Sequence, residues 1–236
     1  MVEVLAHRGA SRAARENTIE AFRLAAAMGS DAVEFDVRRT ADGLLVIHHD
    51  PFLADGRPII DVNACDLPGH IPTLGAALDA CAGMWVNVEI KNDPHEPDFD
   101  PTDSIADQTV AELWEVHDDD RWLISSFRIE TIDRCRAIAH SIRTAWLIDE
   151  VPDDVIATMV SRGHTALHPW VATLRRSHID VCHGAGIEVN TWTCDDPLRM
   201  IELIDWGIDG VCTNVPDLAI DVIAGRFTPV QTAGDG

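Results

Sequence analysis

A (β/α)8 barrel is the fold this sequence predicts, on three observations. Short β-rich runs alternate with amphipathic stretches from one end to the other, which argues for a parallel sheet. About eight such repeats fill the 236 residues, an ordinary size for one closed barrel. The turn after the first strand carries His7-Arg8-Gly9, not the glycine-rich phosphate fingerprint that a doubly wound open sheet would place there.

The first strand, 3–6, is a short apolar run. A helix follows over 18–28, with Ile19, Phe22 and Ala26 on its apolar face, Asn17 as N-cap with Glu20 three residues on, and Gly29 just past the last turn. The second strand is 32–37, and the run 44–47 reads as an extension near this second unit, not as a barrel strand of its own. Residues 51–72 break the rhythm: they are rich in Pro, Gly and Asp, with 55–58 as a turn and Ile59-Ile60 as a short extended piece, and are expected to run over the barrel mouth. Helix 74–81 and strand 85–90 come next, then a second acidic, proline-broken loop over 93–101. The remaining strands are 122–125, 144–148, 165–167, 187–192 and 208–212; the helices are 103–116, 129–138, 153–160, 171–182, 197–205 and 217–223. One barrel domain is therefore expected over 1–228, with 229–236 a patternless tail that frays.

The chain carries 40 acidic against 18 basic residues, a formal net charge of −22. No broad basic face is expected, so nucleic acid and anionic membrane surfaces are poor partners. An anionic small molecule is not, because a bound cation and a few local basic groups reverse the potential inside a cleft. The first residues offer no basic n-region or apolar h-region, and no run approaches a membrane span, so a cytoplasmic protein without stable membrane insertion is expected. Six cysteines lie far apart with no C-x-x-C pair and read as reduced, buried thiols. The sequence leaves the oligomeric state open.

In a β/α barrel the working residues stand at the C-terminal strand ends, where positions distant in sequence meet. His7-Arg8 ends the first strand. Glu34 and Asp36, two apart on the second, share one side of the pleat, and Glu89 and Lys91 repeat that spacing on the third. Carboxylates inside such apolar runs are costly to bury unpaired. Three converging from adjacent strands make a hard oxygen site for one divalent cation, Mg²⁺ or Ca²⁺. Of the 18 basic residues Lys91 is the only lysine, which points to a place for a compact ammonium beside a phosphate, with Arg8. Among eleven histidines, His7 and His49 lie at strand ends beside Arg8 and Asp50 and are the pair chosen for acid/base work; His48 is the neighbour most easily mistaken for His49. His168 could line the mouth. His70, His95, His117, His140, His164, His178 and His183 read as surface residues.

The ordered series His7-Arg8-Gly9, Glu16-Asn17-Thr18, Glu34-Phe35-Asp36-Val37, Asp42-Gly43, His49-Asp50, Ile71-Pro72-Thr73-Leu74, Glu89-Ile90-Lys91, Ser125-Ser126-Phe127, Trp192-Thr193 and Asp209-Gly210-Val211 with Thr213-Asn214 and Pro216 resembles the glycerophosphodiester phosphodiesterase family over nearly the whole chain. The resemblance implies a barrel with a small insertion after the histidine-aspartate motif, a cation held by Glu34, Asp36 and Glu89, and catalysis by His7 and His49. It further implies substrate contact by Arg8, Lys91 and Trp192, with Glu16 and Asp50 standing behind them. Arg15 stands where the family usually has proline, Asp55 where it often has arginine, and Gly75 where glutamate is frequent; the insertion is also short. The activity implied is metal-dependent hydrolysis of small glycerophosphodiesters to sn-glycerol 3-phosphate and an alcohol. A lysophospholipase D-like or related phospholipid phosphodiesterase would use the same residues but should carry an apolar lid. A noncatalytic ligand-binding barrel should have lost at least one of His7, Glu34, Asp36, His49 or Glu89, and none is missing.

Overall fold

The computed structural model describes residues 1–116 and 119–228. His117 and the 229–236 tail lie outside the described residues. The strands are β1 (Glu3–His7), β2 (Ala32–Arg39), β3 (Leu45–Ile47), β4 (Trp85–Ile90), β5 (Trp122–Ser126), β6 (Arg143–Ile148), β7 (Ala166–Pro169), β8 (Glu188–Thr191) and β9 (Gly210–Thr213). All but β3 pair in parallel around the ring, and β9 closes on β1. The run 44–47 joins the second unit as expected, in the form of an antiparallel strand on the outer end of β2 that opposes Val37 to Ile47.

The intervening helices are α1 (Ile19–Met28), α2 (Leu74–Ala80), α3 (Ser104–Glu115), α4 (Ile129–Ile138), α5 (Val155–Arg162), α6 (Arg176–Gly184), α7 (Pro197–Asp205) and α8 (Pro216–Ile223). Parallel strands are covered on both faces, which is why they read as near-continuous apolar runs. Their outward residues, such as Val33, Phe35 and Val88, pack against α1 to α4 in one large cluster that includes Phe22, Leu74 and Val110. A second cluster does the same around α5 to α8. Smaller groups such as Leu5, Ala32 and Cys212, which are register partners on β1, β2 and β9, pack with Trp85 and Trp192.

Five local expectations need correction. The N-cap of α1 is Thr18, whose hydroxyl accepts from the Ala21 amide, and not Asn17, which takes φ 54° and turns its side chain elsewhere. Gly29 ends the helix in the left-handed region as foreseen. Ile59-Ile60 is not extended: Ile59–Asp61 forms a 3-10 turn that buries Ile59 while the Asp61 amide bonds back to Pro58. Helix α6 starts at Arg176, five residues late, because the amide of Val171 bonds the carbonyl of Trp192 and the Thr173 hydroxyl donates to Asp149; buried Leu174 mimicked helical spacing in this loop. Finally, Cys65 is exposed and His164 is buried; the His164 ring sits between the Thr144 hydroxyl and the Asp133 carboxylate. The other five thiols are buried.

Segment 51–72 has a core of its own. Leu53, Ile59 and Val62 bury against Val46 of β3, with Leu67 and Ile71 packed beside them. Among the described residues, no helix is long and apolar enough to cross a membrane.

Candidate active site

The parallel register places the chemistry. His7 is opposite Glu34 and Asp36 is opposite Glu89, so three strand ends deliver their side chains to one spot. The carboxylates of Glu34, Asp36 and Glu89 are buried, and one oxygen from each lies within 4.8 Å of the others. After His7 the chain turns sharply through Arg8 at φ 55° and Gly9 at φ 82°. A Cβ on Gly9 would stand 2.7 Å from the Ala21 backbone, so only glycine lets this turn rest on α1.

Two cations face the three carboxylates. Arg8 donates its backbone amide to Glu34 at 3.0 Å, and its Nε is 3.3 Å from Asp36. Lys91 donates to Glu89 at 2.7 Å and stands 3.6 Å from Asp36. Burial works against the charge of Asp36, but Lys91 and Arg8 outweigh it and hold its carboxyl far below the usual range. Burial, then the Asp36 and Glu89 charges, push Glu34 well up. Glu34 Oε1 has no hydrogen-bond partner. A buried, unpaired oxygen beside two further carboxylates is a donor set that fits a hard dication, and these three residues can hold one.

The two chosen histidines flank this group. The His7 ring bonds Asn214 Oδ1 through Nδ1 at 2.7 Å, and its Nε2 lies 4.0 Å from Glu34 Oε2. Burial, then the Arg8 charge, lower its pKa. His49 bonds Asp50 through Nδ1 at 2.8 Å. Both rings line a cavity of about 270 Å³ with Arg8, Glu34, Glu89, Lys91, Phe127 and Trp192. His48 does not: its Nδ1 meets the Asp50 carbonyl, and it lines a neighbouring recess, which His49 also borders, with His70 and Arg15. Glu16 bonds Arg8 at 3.0 Å, and Trp192 stands edge-on to Phe127 with its indole N–H donating to the His168 carbonyl.

Other residues went unread in the sequence. Asn17, taken as a helix cap, donates to Asp36 at 2.7 Å. Arg38 is fully buried; it ion-pairs with Glu96 and Asp98 and donates to the His49 carbonyl at 2.8 Å. The period of two from Glu34 through Asp36 could have pointed to it. Asn87 lines the cavity with an unpartnered Oδ1. His168, which the sequence did place among candidates for the mouth, also lines it, buried, its Nε2 accepting from Asn190. A wider recess of about 550 Å³, edged by Asp93, Arg128 and Asp149, shares Glu89, Lys91 and Phe127 with the cavity.

A parallel barrel with buried carboxylates, paired imidazoles and two cations at its C-terminal mouth defines a hydrolase-type site for a phosphorylated small molecule. Comparison with known proteins narrows that class. The family model described as "Glycerophosphoryl diester phosphodiesterase family" matches residues 7–218, and the chain belongs to this family of phosphoric diester hydrolases. A glycerophosphodiester phosphodiesterase of Caldanaerobacter subterraneus is 26% identical over 93% of this chain and 97% of its own. The solved phosphodiesterase of Oleispira antarctica, in complex with the product sn-glycerol-3-phosphate, is 26% identical with a TM-score of 0.84, covering 94% of this chain and 96% of that one. A glycerophosphodiester phosphodiesterase structure from Thermotoga maritima is 26% identical with a TM-score of 0.77, covering 94% and 98%.

Proposed function

We propose that this enzyme hydrolyses small glycerophosphodiesters to sn-glycerol 3-phosphate and an alcohol, with Mg²⁺ or Ca²⁺ at Glu34, Asp36 and Glu89. The observation that carries the reading is the convergence of those carboxylates with His7, His49, Arg8 and Lys91 on one cavity. When bound, the dication supplies positive charge for the phosphoryl oxygens. Arg8 and Lys91 add fixed charge on the same oxygens, already desolvated and therefore strong when charge develops in the reaction. Each histidine has Nδ1 committed to a neighbour, which leaves Nε2 for proton exchange. One removes the proton of the attacking oxygen while the other protonates the departing alkoxide. Trp192 forms an apolar wall, and the wider recess beyond Phe127 gives the alcohol room.

A diester whose glycerol carries no acyl chain is favoured over an acylated one. Segment 51–72 turns Leu53, Ile59 and Val62 inward, and Phe52 is its one large exposed hydrophobic residue. The deciding experiment is release of the alcohol from glycerophosphocholine, glycerophosphoethanolamine and glycerophosphoinositol, with sn-glycerol 3-phosphate identified as the second product, and choline release from lysophosphatidylcholine as comparison, using stripped enzyme reloaded with each cation. Hydrolysis of the soluble diesters only with a dication is expected. Full activity in excess chelator with no bound metal would end the metal assignment, and preference for the lysolipid would end the substrate assignment.

A further inference from the structure

One exposed carboxylate, two residues beyond Thr193 of the cavity lining, is linked to His7 through a single side chain. Asp195 follows β8 and accepts three hydrogen bonds: from the Thr213 hydroxyl at 2.9 Å, the Asn214 amide at 2.8 Å and the Asn214 side-chain nitrogen at 2.7 Å. A carboxylate only accepts, so the Asn214 side chain must present its nitrogen to Asp195 and its oxygen to the other side. That oxygen receives the Ser11 hydroxyl at 2.8 Å and His7 Nδ1 at 2.7 Å. An amide oxygen also only accepts, so His7 must carry its proton on Nδ1. The neutral ring therefore points a bare Nε2 toward the carboxylate group.

We infer that Asp195 is a positioning residue that, through the side-chain amide of Asn214, fixes His7 as the Nδ1–H tautomer and keeps Nε2 free. The inference rests on the proposal that His7 exchanges protons at Nε2 during hydrolysis. Without Asp195 the two faces of the Asn214 amide become nearly equivalent, and a flipped amide would offer N–H to His7, forcing the proton onto Nε2.

The isosteric change Asp195→Asn is the sharp test. Its oxygen can still accept from the Thr213 hydroxyl and the Asn214 amide, so its new NH2 then faces the Asn214 NH2 and drives the flip. Nitrogen-15 NMR of labelled histidine, which separates Nδ1–H from Nε2–H rings, reads the result directly in chelated protein, with the His7 signal assigned by its loss in His7→Gln. Wild type is expected to show Nδ1–H, and Asp195→Asn to move His7 toward Nε2–H at an unchanged melting temperature. With the dication restored, kcat should fall by about 10-fold or more while KM stays within about twofold. Asp195→Ala should give a mixture of tautomers and a smaller loss. A wild-type His7 found as Nε2–H overturns the inference without any variant, as does Nδ1–H retained in Asp195→Asn. Failure of the proton-exchange reading would look different: His7→Ala would keep kcat, whatever tautomer the ring adopts.

Discussion

Lys91 is held between Glu89 and Asp36, and Asp36 is almost sealed from water. Its ammonium fills a place where a guanidinium would have to displace a carboxylate or the Phe127 ring 5.8 Å away. Lys91→Arg should therefore be clearly impaired and Lys91→Met worse, by ~10²-fold or more in kcat, both folding normally with dication present; wild-type kinetics in Lys91→Met would reduce the lysine to a structural counter-charge. His49→Ala should cost ~10²-fold in turnover and His48→Ala little, because only His49 lines the cavity; the reverse ranking in a rate assay would reassign the pair. These residues were legible because spacing of two along a strand fixes a shared face. Asn17 and Asp195 were not. A short polar residue before a helix reads as a cap whether or not it is one, and the link from Asp195 through Asn214 to His7 exists only once β9 lies between β8 and β1.

At the scale of elements, β2 organises the site. Its inward positions run Glu34, Asp36, Arg38: two carboxylates for the cavity, then a buried guanidinium that ties two loops together. Arg38 holds the His49 carbonyl on one side and Glu96 with Asp98 on the other. The acidic, proline-broken stretch 93–101 thus has a partner, and its charge is part of the fold. Removing one member of a buried ion pair leaves the other uncompensated, so Arg38→Met should cost ~3–5 kcal/mol in urea unfolding. It should also lower kcat by loosening His49, and the double variant Arg38→Met with Asp98→Asn should recover part of the stability. No recovery would mean that the loss comes from packing and not from the stranded carboxylate. The strands and most helices could be read because their apolar periods are long and repeated. Segments 51–72 and 171–175 were misread in detail because a few buried residues, Ile59 and Leu174, borrowed the look of strand and helix.

For the molecule as a whole, a net charge of −22 sits uneasily with an anionic substrate, and the resolution is local. Arg8 and Lys91 are at the mouth, and a dication would reverse the potential there. The barrel interior adds a second electrostatic constraint. His168 is buried at 2% exposure, and burial, then the Arg143 charge, lower its pKa from 6.5 to about 3. The folded value lies below the unfolded one, so between those limits the unfolded chain binds a proton that the native chain refuses. Stability from this group is therefore complete above about pH 6.5 and lost as pH falls toward 3, at up to about 1.4 kcal/mol per pH unit. His168→Gln should flatten the fall of unfolding free energy between pH 6.5 and 4.5, whatever it costs at neutral pH. Urea titrations of the two proteins at matched pH values test this: parallel curves would mean that His168 is protonated in the native barrel and that its Nε2 donates to the Asn190 side chain instead of accepting from it.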